Sequence, residues 1–378
     1  MDHSATTRVS SHVAQVVLEM MTENYGNPSS LHHRGVLAQQ ALERARRQIA
    51  SALGAREEEI IFTSGGTEAN NLAIQGLARA RRRRGDGLVT SGMEHSSVLG
   101  AVHHMEEEGF RAVLLAPGPD GRIQPESVAA AVDEKTLLVS CMLVNNETGA
   151  VNPIGEISAA AKAKNPDVVI HCDAVQAFGK LPIDVRRLGV DLMTVSGHKI
   201  HAPKGVGALY VKKGVRLVPL VYGGSQERAL RPGTENVPLA CGFGAAAEDM
   251  LRGMAENTAR FEALRRRLIS GAEKIEGVCI NSAPGGAPYI VNLSCPGIRS
   301  EIMLHFLEGR GIYVSSGSAC SKGAKSHVLA AMGLGQERID SALRVSFCRE
   351  STEEEVDRLL EGLAAGIAML EKNRGRQR

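Results

Sequence analysis

The sequence predicts an α/β protein with a mostly parallel, doubly wound sheet in a large domain and a smaller α+β domain. Short apolar runs alternate with segments of helical periodicity up to about residue 211, which is typical of strand–helix–strand units. Polar side chains directly follow several of these runs. After about residue 247 the alternation ends. We therefore place the large domain at residues 11–246 and the small domain at residues 1–10 and 247–378.

Composition excludes several classes of protein. Lys and Arg number 44 against 42 Asp and Glu, and the resulting charge of +2 does not suggest a nucleic-acid partner. No apolar stretch approaches the roughly 20 residues that span a membrane, and the N-terminus has no hydrophobic signal segment. The 7 cysteines include no Cys-x-x-Cys pair, which favours a cytoplasmic protein without a disulfide framework or a structural metal.

The first predicted strand leads into a glycine turn. Helical periodicity over residues 11–22 and 35–53 flanks the loop Asn24–Ser30 and precedes the apolar run Glu59–Thr63. Ser64-Gly65-Gly66-Thr67-Glu68 follows and opens a helix that extends to about residue 80. A strand, a glycine turn and a helix together direct free backbone N–H groups at a phosphate. No lysine follows the glycines, so this is not a Walker loop, and an ordinary capped helix start is the alternative.

Five arginines lie in the run Arg79–Arg84, at the predicted C-terminal end of that helix. Cations there complement the helix dipole, so a solvated helix end is the expected structure. A basic docking patch for a partner is the alternative.

Four more apolar runs predict buried strands of the same sheet. His95, Asn146 and Asp173 come just after three of them. Carboxyl ends of parallel strands share one edge of a sheet, and ligands of doubly wound folds bind there. We therefore expect these three side chains to converge. The four runs are Leu88–Thr90, Val113–Leu115, Thr136–Val144 and Val168–Cys172.

A lysine follows the next apolar run. Leu192–Val195 predicts a short strand, and Ser196-Gly197-His198-Lys199 comes directly after it. A lysine in that place projects into the crevice at the sheet edge, although most lysines are plain surface charges. Pyridoxal phosphate bound to a lysine as a Schiff base needs a set of accompanying groups. Lys199 has them in Asp173 and Gln176, in His95 and in the Gly66-Thr67 turn.

The rest of the sequence predicts a different arrangement of loops, helices and strands. Two glycine-rich segments, Tyr222–Glu227 and Arg231–Asn236, predict loops. A long helix is expected from about residue 247 to 275. Short strands are expected at Gly207–Val211, Tyr289–Leu293, Gly311–Val314 and Leu343–Ser346.

A flexible thiol segment lies near the C-terminal end. Cys320 sits in Ser315–Gly323, a stretch of small and polar residues with nothing to bury a thiol against. Lys322 and Lys325 favour its thiolate form. An incidental loop cysteine is the alternative. Two glycines flank Cys320, so we expect residues 315–325 to be mobile.

These segments resemble the cysteine desulfurases of the nitrogen-fixation and iron–sulfur-assembly type, within the class V pyridoxal-phosphate-dependent transferases. The resemblance implies fold type I and runs nearly end to end. The matching segments are Ser4–Thr7, Asn24–Ser30, Phe62–Asn71, Glu94-His95, Asn145–Gly149, Asp173–Ala177, Ser196–Lys199, Pro203–Tyr210, Arg231–Val237, Ser316–Ser321 and Leu343–Ser346.

The resemblance implies a role for each matching residue. Lys199 would bind pyridoxal 5′-phosphate and move the substrate's α-proton, with His95 on the ring face assisting proton transfer. Cys320 would take the sulfur of L-cysteine, leaving alanine and an enzyme persulfide. Asp173 would bind the ring nitrogen and Gln176 the phenolic oxygen. The phosphate would be held by Gly66, Thr67, Ser196 and His198, together with Thr234 from the partner subunit. Asn146 and Arg344 would bind the substrate carboxylate.

The implied partners are a second copy of the chain and a protein sulfur acceptor, such as an iron–sulfur scaffold or a tRNA-thiolation protein. Transient iron–sulfur ligation by Cys320 is also implied. Selenocysteine lyase or another class V activity is the alternative function. The sequence departs from the family pattern at two positions. His3 stands where family members often have asparagine or tyrosine, and Lys322 stands where they often have serine, in a loop that is slightly shorter here.

Overall fold

The computed structural model describes residues 1–316 and 326–375, with side chains described up to residue 370. The helices of these ranges are α1 Ser11–Thr22, α2 His33–Leu53, α3 Gly66–Arg81, α4 Ser96–Glu107, α5 Pro125–Ala131, α6 Ile154–Lys164, α7 Val237–Arg252, α8 Met254–Ala272, α9 Ser300–Glu308, α10 His327–Ala331, α11 Gln336–Asp340 and α12 Glu353–Gly375. The strands are β1 Ile60–Thr63, β2 Gly87–Ser91, β3 Arg111–Leu115, β4 Thr136–Ser140, β5 Val169–Asp173, β6 Leu192–Ser196, β7 Gly207–Val211, β8 Cys279–Ile280, β9 Ile290–Ser294, β10 Ser315–Ser316 and β11 Ala342–Ser346.

Seven strands form one sheet in the order β1-β7-β6-β5-β4-β2-β3. The pairs from β3 through to β6 are parallel, and β7 runs antiparallel to both of its neighbours. Since β1 and β6 are each antiparallel to β7, β1 runs in the direction of the parallel strands. The predicted mostly parallel α/β sheet is thus confirmed, with β7 as its exception.

The sheet is buried on both faces because successive side chains of a strand point to opposite sides. Ile60 and Phe62 pack into one apolar core, and Ile61 between them packs into the other. Met193 and Leu192 divide between the two cores in the same way. This double burial explains the continuous apolar runs in the sequence, which are typical of covered parallel sheets.

A second sheet of four antiparallel strands, in the order β10-β11-β9-β8, carries the C-terminal part of the chain. The N-terminal residues join this sheet, since Asp2 forms a parallel bridge with Ser346 at the end of β11. The chain then passes from Asp2 towards the large sheet, where Thr7 donates its backbone N–H to the carbonyl of His198. The predicted domain boundary at residues 246 and 247 falls inside α7 and stays a prediction.

Three sequence-based element predictions were wrong in part. The single helix expected over residues 247–275 is two helices, α7 and α8, that meet at Gly253. The strand expected at residues 311–314 is absent: left-handed Gly311 (φ 71°) and the bond from Ile312 N to Leu307 O close the end of α9, and strand β10 begins only at Ser315. Strand β4 ends at Ser140, four residues early: Cys141 N and Leu143 N still donate to carbonyls of β5, but Met142 N between them donates to the Glu94 side chain at 3.0 Å.

The arginine run lies at the C-terminal end of α3, as predicted. Several of its guanidinium groups bind neighbouring groups: Arg79 pairs with Glu108, and Arg82 lies over the ring of Phe110 at 4.7 Å from its centroid. A docking role for this run stays a prediction. Over the described ranges, none of the helices has the length and apolarity needed to cross a membrane.

Candidate active site

A cavity of about 330 Å³ opens at the carboxyl edge of the parallel strands. Its walls combine residues that follow different strands, together with Ser4 and Ala5 from the N-terminal segment. Thr234 does not line it and is exposed in the loop before α7. The sequence-predicted residues that do line it are Gly66, Thr67, His95, Asn146, Asp173, Gln176, Ser196, His198, Lys199 and Arg344.

Lys199 reaches the cavity from a single 3-10 turn, Gly197–Lys199, that follows β6 directly. Its ammonium donates to the backbone carbonyls of Ser4 at 2.6 Å and Ala5 at 2.8 Å. The N-terminal segment therefore helps to position the amine. Gly197 permits this turn, because a Cβ at that position would lie 3.0 Å from Val206 Cγ1 and 3.1 Å from Ala202 Cβ.

Asp173 ends β5 and is 4% exposed. One carboxylate oxygen, Oδ2, accepts from Asn70 Nδ2 at 2.8 Å, and the other accepts from Val175 N at 2.9 Å. Two neutral amide donors thus fix the carboxylate. Its negative charge remains available to a cationic group inside the cavity.

His95 is linked to Asp173 through two side chains. Asn70 Nδ2 also donates to Ser97 Oγ at 2.9 Å, and Ser97 Oγ lies 2.8 Å from His95 Nδ1. The backbone N–H of Ser97 donates to the same Nδ1 at 3.2 Å, so Nδ1 is an acceptor. The neutral imidazole consequently carries its proton on Nε2. Burial lowers the pKa of His95, which favours this neutral form, and nearby Lys199 acts in the same direction against the opposing charge of Asp173.

Two features show that the cavity suits a bound polar ring with a phosphate. The side-chain Oε1 of Gln176 is buried without a hydrogen-bond partner in the described part of the chain, while its Nε2 donates to Ser4 O at 3.0 Å. Such an orphaned acceptor is rare unless a further group satisfies it. Gly66 opens α3 at the cavity wall, and a Cβ there would lie 2.9 Å from Val175 Cγ2. The N-terminus of a 16-residue helix beside this space favours an anion.

His198 lines the same cavity and is neutral. Burial, together with the charges of Lys199 and Lys204, lowers the pKa of His198 to about 4. Its Nδ1 lies 3.3 Å from Thr6 Oγ1. Any phosphate bound here would therefore receive hydrogen bonds from His198 and from the start of α3, not a histidine charge.

Arg344 enters from β11 of the second sheet and is 3% exposed. Its Nη1 donates to the backbone carbonyl of Asn146 at 3.0 Å, and its Nη2 pairs with Asp2 Oδ1 at 3.0 Å. Its Nε is buried and has no partner among the described residues. The guanidinium therefore keeps donor capacity for a carboxylate ligand.

Solved structures share this architecture. A NifS-like protein superposes with a TM-score of 0.93 at 37% identity, covering 97% of this chain and 98% of the other. The structure described as SspA in complex with cysteine has a TM-score of 0.82 at 34% identity, covering 93% and 99%.

Curated relatives and a family model agree with the structural likeness. The class-V aminotransferase family model matches residues 1–359. The cysteine desulfurase IscS of Methanosarcina thermophila is 44% identical over 364 residues, 96% of this chain and 90% of that protein. The cysteine desulfurase IscS of Clostridium botulinum (strain Hall) is 41% identical over 369 residues, 96% and 92% of the two chains. The chain belongs to the cysteine desulfurases of the class-V aminotransferase family.

The predicted sulfur carrier of this desulfurase, Cys320, lies outside the described residues, as do Lys322 and Lys325 and the expected mobility of their segment. The described flanks both reach the site. Ser315 pairs with Arg344 between β10 and β11 on one side. On the other, Ser326 donates to the side chain of Glu147 at 2.5 Å and His327 Nε2 lies 3.1 Å from the carbonyl of Glu94. The segment that carries Cys320 thus begins and ends beside the cavity. Within the described ranges, no group of three or more acidic, histidine or cysteine side chains could hold a metal ion.

Sequence reasoning missed three residues that support the side chains lining this cavity. Asn70 and Ser97 connect Asp173 to His95, and Asp2 binds Arg344. Asn70 falls one helical turn after the glycine turn of α3, on the face that meets the sheet, and this spacing was the available signal. No such signal marks Asp2, since its partner Arg344 is 342 positions away in the chain.

Proposed function

We propose that the cavity binds pyridoxal 5′-phosphate and that the chain uses it to convert L-cysteine to L-alanine, retaining the sulfur as a persulfide on Cys320. One observation carries this proposal: Lys199, Asp173, His95 and Arg344 come from separate elements and line one cavity. The alternative of a binding protein without turnover does not require such a convergence.

The cofactor would be held by residues that already face the space. Lys199 supplies the amine for a covalent link to the aldehyde carbon, and Asp173 supplies the charge for the pyridinium nitrogen. Bound in this way, the ring accepts the electron pair left at the substrate's α-carbon when a proton or substituent departs. Gln176 serves the phenolic oxygen. Gly66, Thr67, Ser196 and His198 serve the phosphate, with Thr234 of the partner subunit.

The substrate would be oriented by its carboxylate. Arg344 takes that carboxylate with the guanidinium donors left over from Asn146 O and Asp2, and the side chain of Asn146 assists. Lys199 removes the α-proton as a neutral amine. The neutral His95, with its proton on Nε2, donates to the substrate side of the cavity or accepts from it once that proton is lost.

The sulfur transfer balances without an added oxidant. The Cys320 thiolate attacks the substrate sulfur, so that an S–S bond forms and the substrate C–S bond breaks. The electron pair of the C–S bond stays with the carbon, which takes a proton and becomes the methyl group of alanine. The outer sulfur of the persulfide then passes to a thiol of an acceptor protein, an iron–sulfur scaffold or a tRNA-thiolation protein. We place this reaction in the cytoplasm.

A homodimer completes the proposal. Large apolar side chains are exposed at Tyr25 and Leu31, near the start of the chain, and at Val221 and Tyr222, in the loop region that also carries Thr234. Exposed apolar groups of this size mark interaction surfaces. A second copy of the chain is the partner that would bring Thr234 to a phosphate.

The test combines product analysis with two cysteine variants. Purified protein supplied with the cofactor and L-cysteine should release alanine, together with sulfide when a small dithiol is present. Cys320→Ala should abolish both products, and Cys279→Ala, which alters a half-buried cysteine of β8, should change neither. Alanine released at the wild-type rate by Cys320→Ala would overturn the assignment of the nucleophile and favour another class V activity.

A further inference from the structure

Asp2 contacts the guanidinium that receives the substrate carboxylate in the proposed function. Its Oδ1 lies 3.0 Å from Arg344 Nη2, and it is the acidic side chain that forms an ion pair with Arg344 among the described residues. We propose that Asp2 is a positioning residue for substrate binding: it fixes the Arg344 guanidinium for the α-carboxylate of the amino-acid substrate. This inference rests on the proposed function.

Burial makes the ion pair necessary. Arg344 is 3% exposed, whereas the Asp2 side chain is 30% exposed. A buried guanidinium without a counter-charge is strongly unfavourable. Glu147 also interacts with Arg344, but burial raises the pKa of Glu147, which favours its neutral form. Asp2 therefore supplies the counter-charge of Arg344 and holds its guanidinium in the cavity wall before the substrate arrives.

The fold holds Asp2 in place through backbone bonds beside Arg344. Asp2 is bridged to Ser346, which lies two positions after Arg344 on β11. Ser4 N donates to Ser346 Oγ at 2.8 Å on the other side of the bridge. Residues two positions apart in a strand share one face, so this attachment brings Asp2 to the face that Arg344 occupies.

The two contacts restrain the guanidinium from two sides. Asn146 O holds Nη1 and Asp2 holds Nη2, each at 3.0 Å. The remaining N–H groups, among them the unpartnered Nε, are left for the ligand. If Asp2 is lost, Arg344 keeps one anchor and can turn away from the position that a carboxylate would use. Substrate binding should weaken as a result, while the later chemistry at the sulfur is unaffected.

The experiment compares Asp2→Ala, Asp2→Asn and Arg344→Lys in the cofactor-loaded enzyme, with any purification tag at the C-terminal end. We expect Asp2→Ala to raise KM for L-cysteine about tenfold with kcat changed less than twofold. Asp2→Asn should recover only part of this loss, because its amide oxygen accepts the same bond from Nη2 but supplies no counter-charge. Asp357→Ala, which removes an exposed ion pair with Arg267, is the matched control and should leave KM unchanged.

A substrate without the carboxylate isolates the positioning role. Cysteine methyl ester should be turned over equally by the wild type and by Asp2→Ala, because Arg344 has no carboxylate to orient. Calorimetric binding of L-alanine gives a readout that does not depend on turnover, and its Kd should rise with the KM for cysteine. Circular dichroism and cofactor content should show that each variant is folded and loaded.

The outcomes separate this inference from the proposed function. If Arg344→Lys weakens cysteine binding and Asp2→Ala leaves KM unchanged or lowers it, Asp2 competes with the substrate or does nothing, and the inference is wrong while the proposed function stands. If Asp2→Ala loses as much activity on the methyl ester as on L-cysteine, Asp2 acts only through the general stability of the protein, and the inference is wrong. An unchanged KM in Arg344→Lys would overturn the carboxylate site itself, and the inference with it.

Discussion

At the scale of single residues, the chemistry of the site depends on which of its side chains are charged and which are neutral. Burial keeps His95 and His198 neutral, and Asp173 is held by amide N–H groups. Asp173 and Arg344 therefore provide formal charges of opposite sign at separate positions in the cavity wall. Opposite charges at separate positions suit a ligand that carries a cationic ring nitrogen and an anionic carboxylate.

Replacing Asn70 tests the support of Asp173. Asn70→Ala removes the 2.8 Å bond to the carboxylate and the 2.9 Å bond to Ser97. A hydrogen bond to a charged group contributes about 1.5–3 kcal/mol, so we expect the Kd for pyridoxal phosphate to rise roughly tenfold or more. Absorbance titration of the protein with the cofactor measures it. The neighbouring Asn71→Ala removes bonds to Thr67 O and Gln75 only and should leave the Kd unchanged. Equal effects of the two variants would show that Asn70 acts through the stability of α3.

Glu94, next to His95, provides a test by pH. Burial raises its pKa in the folded state to about 8, above the 4.5 of a free glutamate. Folding therefore takes up a proton between these values. The contribution of Glu94 to the free energy of unfolding is therefore fully present below pH 4.5. It falls by up to about 1.4 kcal/mol per pH unit as the pH rises to about 8.

Glu94→Gln, which is neutral at every pH, should remove this loss. We expect the variant to gain stability relative to the wild type between pH 5 and pH 8 in urea unfolding. The exposed Glu273→Gln should show no such trend. A wild-type pH profile in Glu94→Gln would mean that Glu94 is charged in the folded protein.

At the scale of elements, strand ends and one helix start carry the chemistry. Asp173 ends β5, Lys199 follows β6 by one 3-10 turn, and α3 begins at Gly66. The right spacing between these groups therefore depends on the register of the sheet, where His171 of β5 pairs with Leu192 of β6. Local sequence changes in the helices should matter less than changes at these ends.

Two glycine substitutions compare a functional helix start with an ordinary helix interior. Gly66→Ala places a Cβ 2.9 Å from Val175 Cγ2 beside the cavity, so Val175 or the start of α3 must shift, and cofactor binding should weaken severalfold. Gly100 in α4 has open space around it, and Gly100→Ala should stabilise the protein by about 0.5–1 kcal/mol without altering the cofactor Kd. Cofactor titration and thermal unfolding of both variants check this. Unchanged cofactor binding in Gly66→Ala would remove α3 from the phosphate site.

The sequence predicted the parts of the site that are local in the chain. The order of strands and the polar residues after them placed His95, Asp173 and Lys199 at one sheet edge, because parallel strands leave their carboxyl ends together. The contacts of Asp2, Ser4 and Ala5 could not be predicted, since they join residues almost 200 or more positions apart. The break at Gly253 was missed because helical periodicity continues on both sides of it.

At the scale of the whole molecule, the N-terminal segment connects the two sheets and the cavity. Asp2 and Ser4 bind Ser346 of the second sheet, and Thr7 binds His198 beside the large sheet. Between these points the Ser4 and Ala5 carbonyls hold Lys199. Truncation of this segment would therefore affect the amine and the carboxylate site together.

Assembly is also a property of the whole molecule. We expect sedimentation to show a dimer, and Tyr222→Glu, which charges a side chain that is 78% exposed, to shift it towards monomer. The monomer should bind pyridoxal phosphate at least tenfold more weakly, because it lacks Thr234 of the partner subunit. Met369→Glu, at a side chain 56% exposed on α12, is the control for added charge. A monomer with full cofactor affinity would contradict the shared site.

The most direct test of the account identifies the lysine that carries the cofactor. Two buried or cavity-lining amines compete on chemical grounds. Lys199 lines the cavity, whereas Lys180 lies 4.7 Å from the ring centroid of Tyr289, and burial lowers its pKa to about 7. The loaded protein should be treated with borohydride, digested and mapped by mass spectrometry. We expect a single pyridoxyl-modified peptide with the label on Lys199. A label on Lys180 or Lys204, or no label at all, would contradict it.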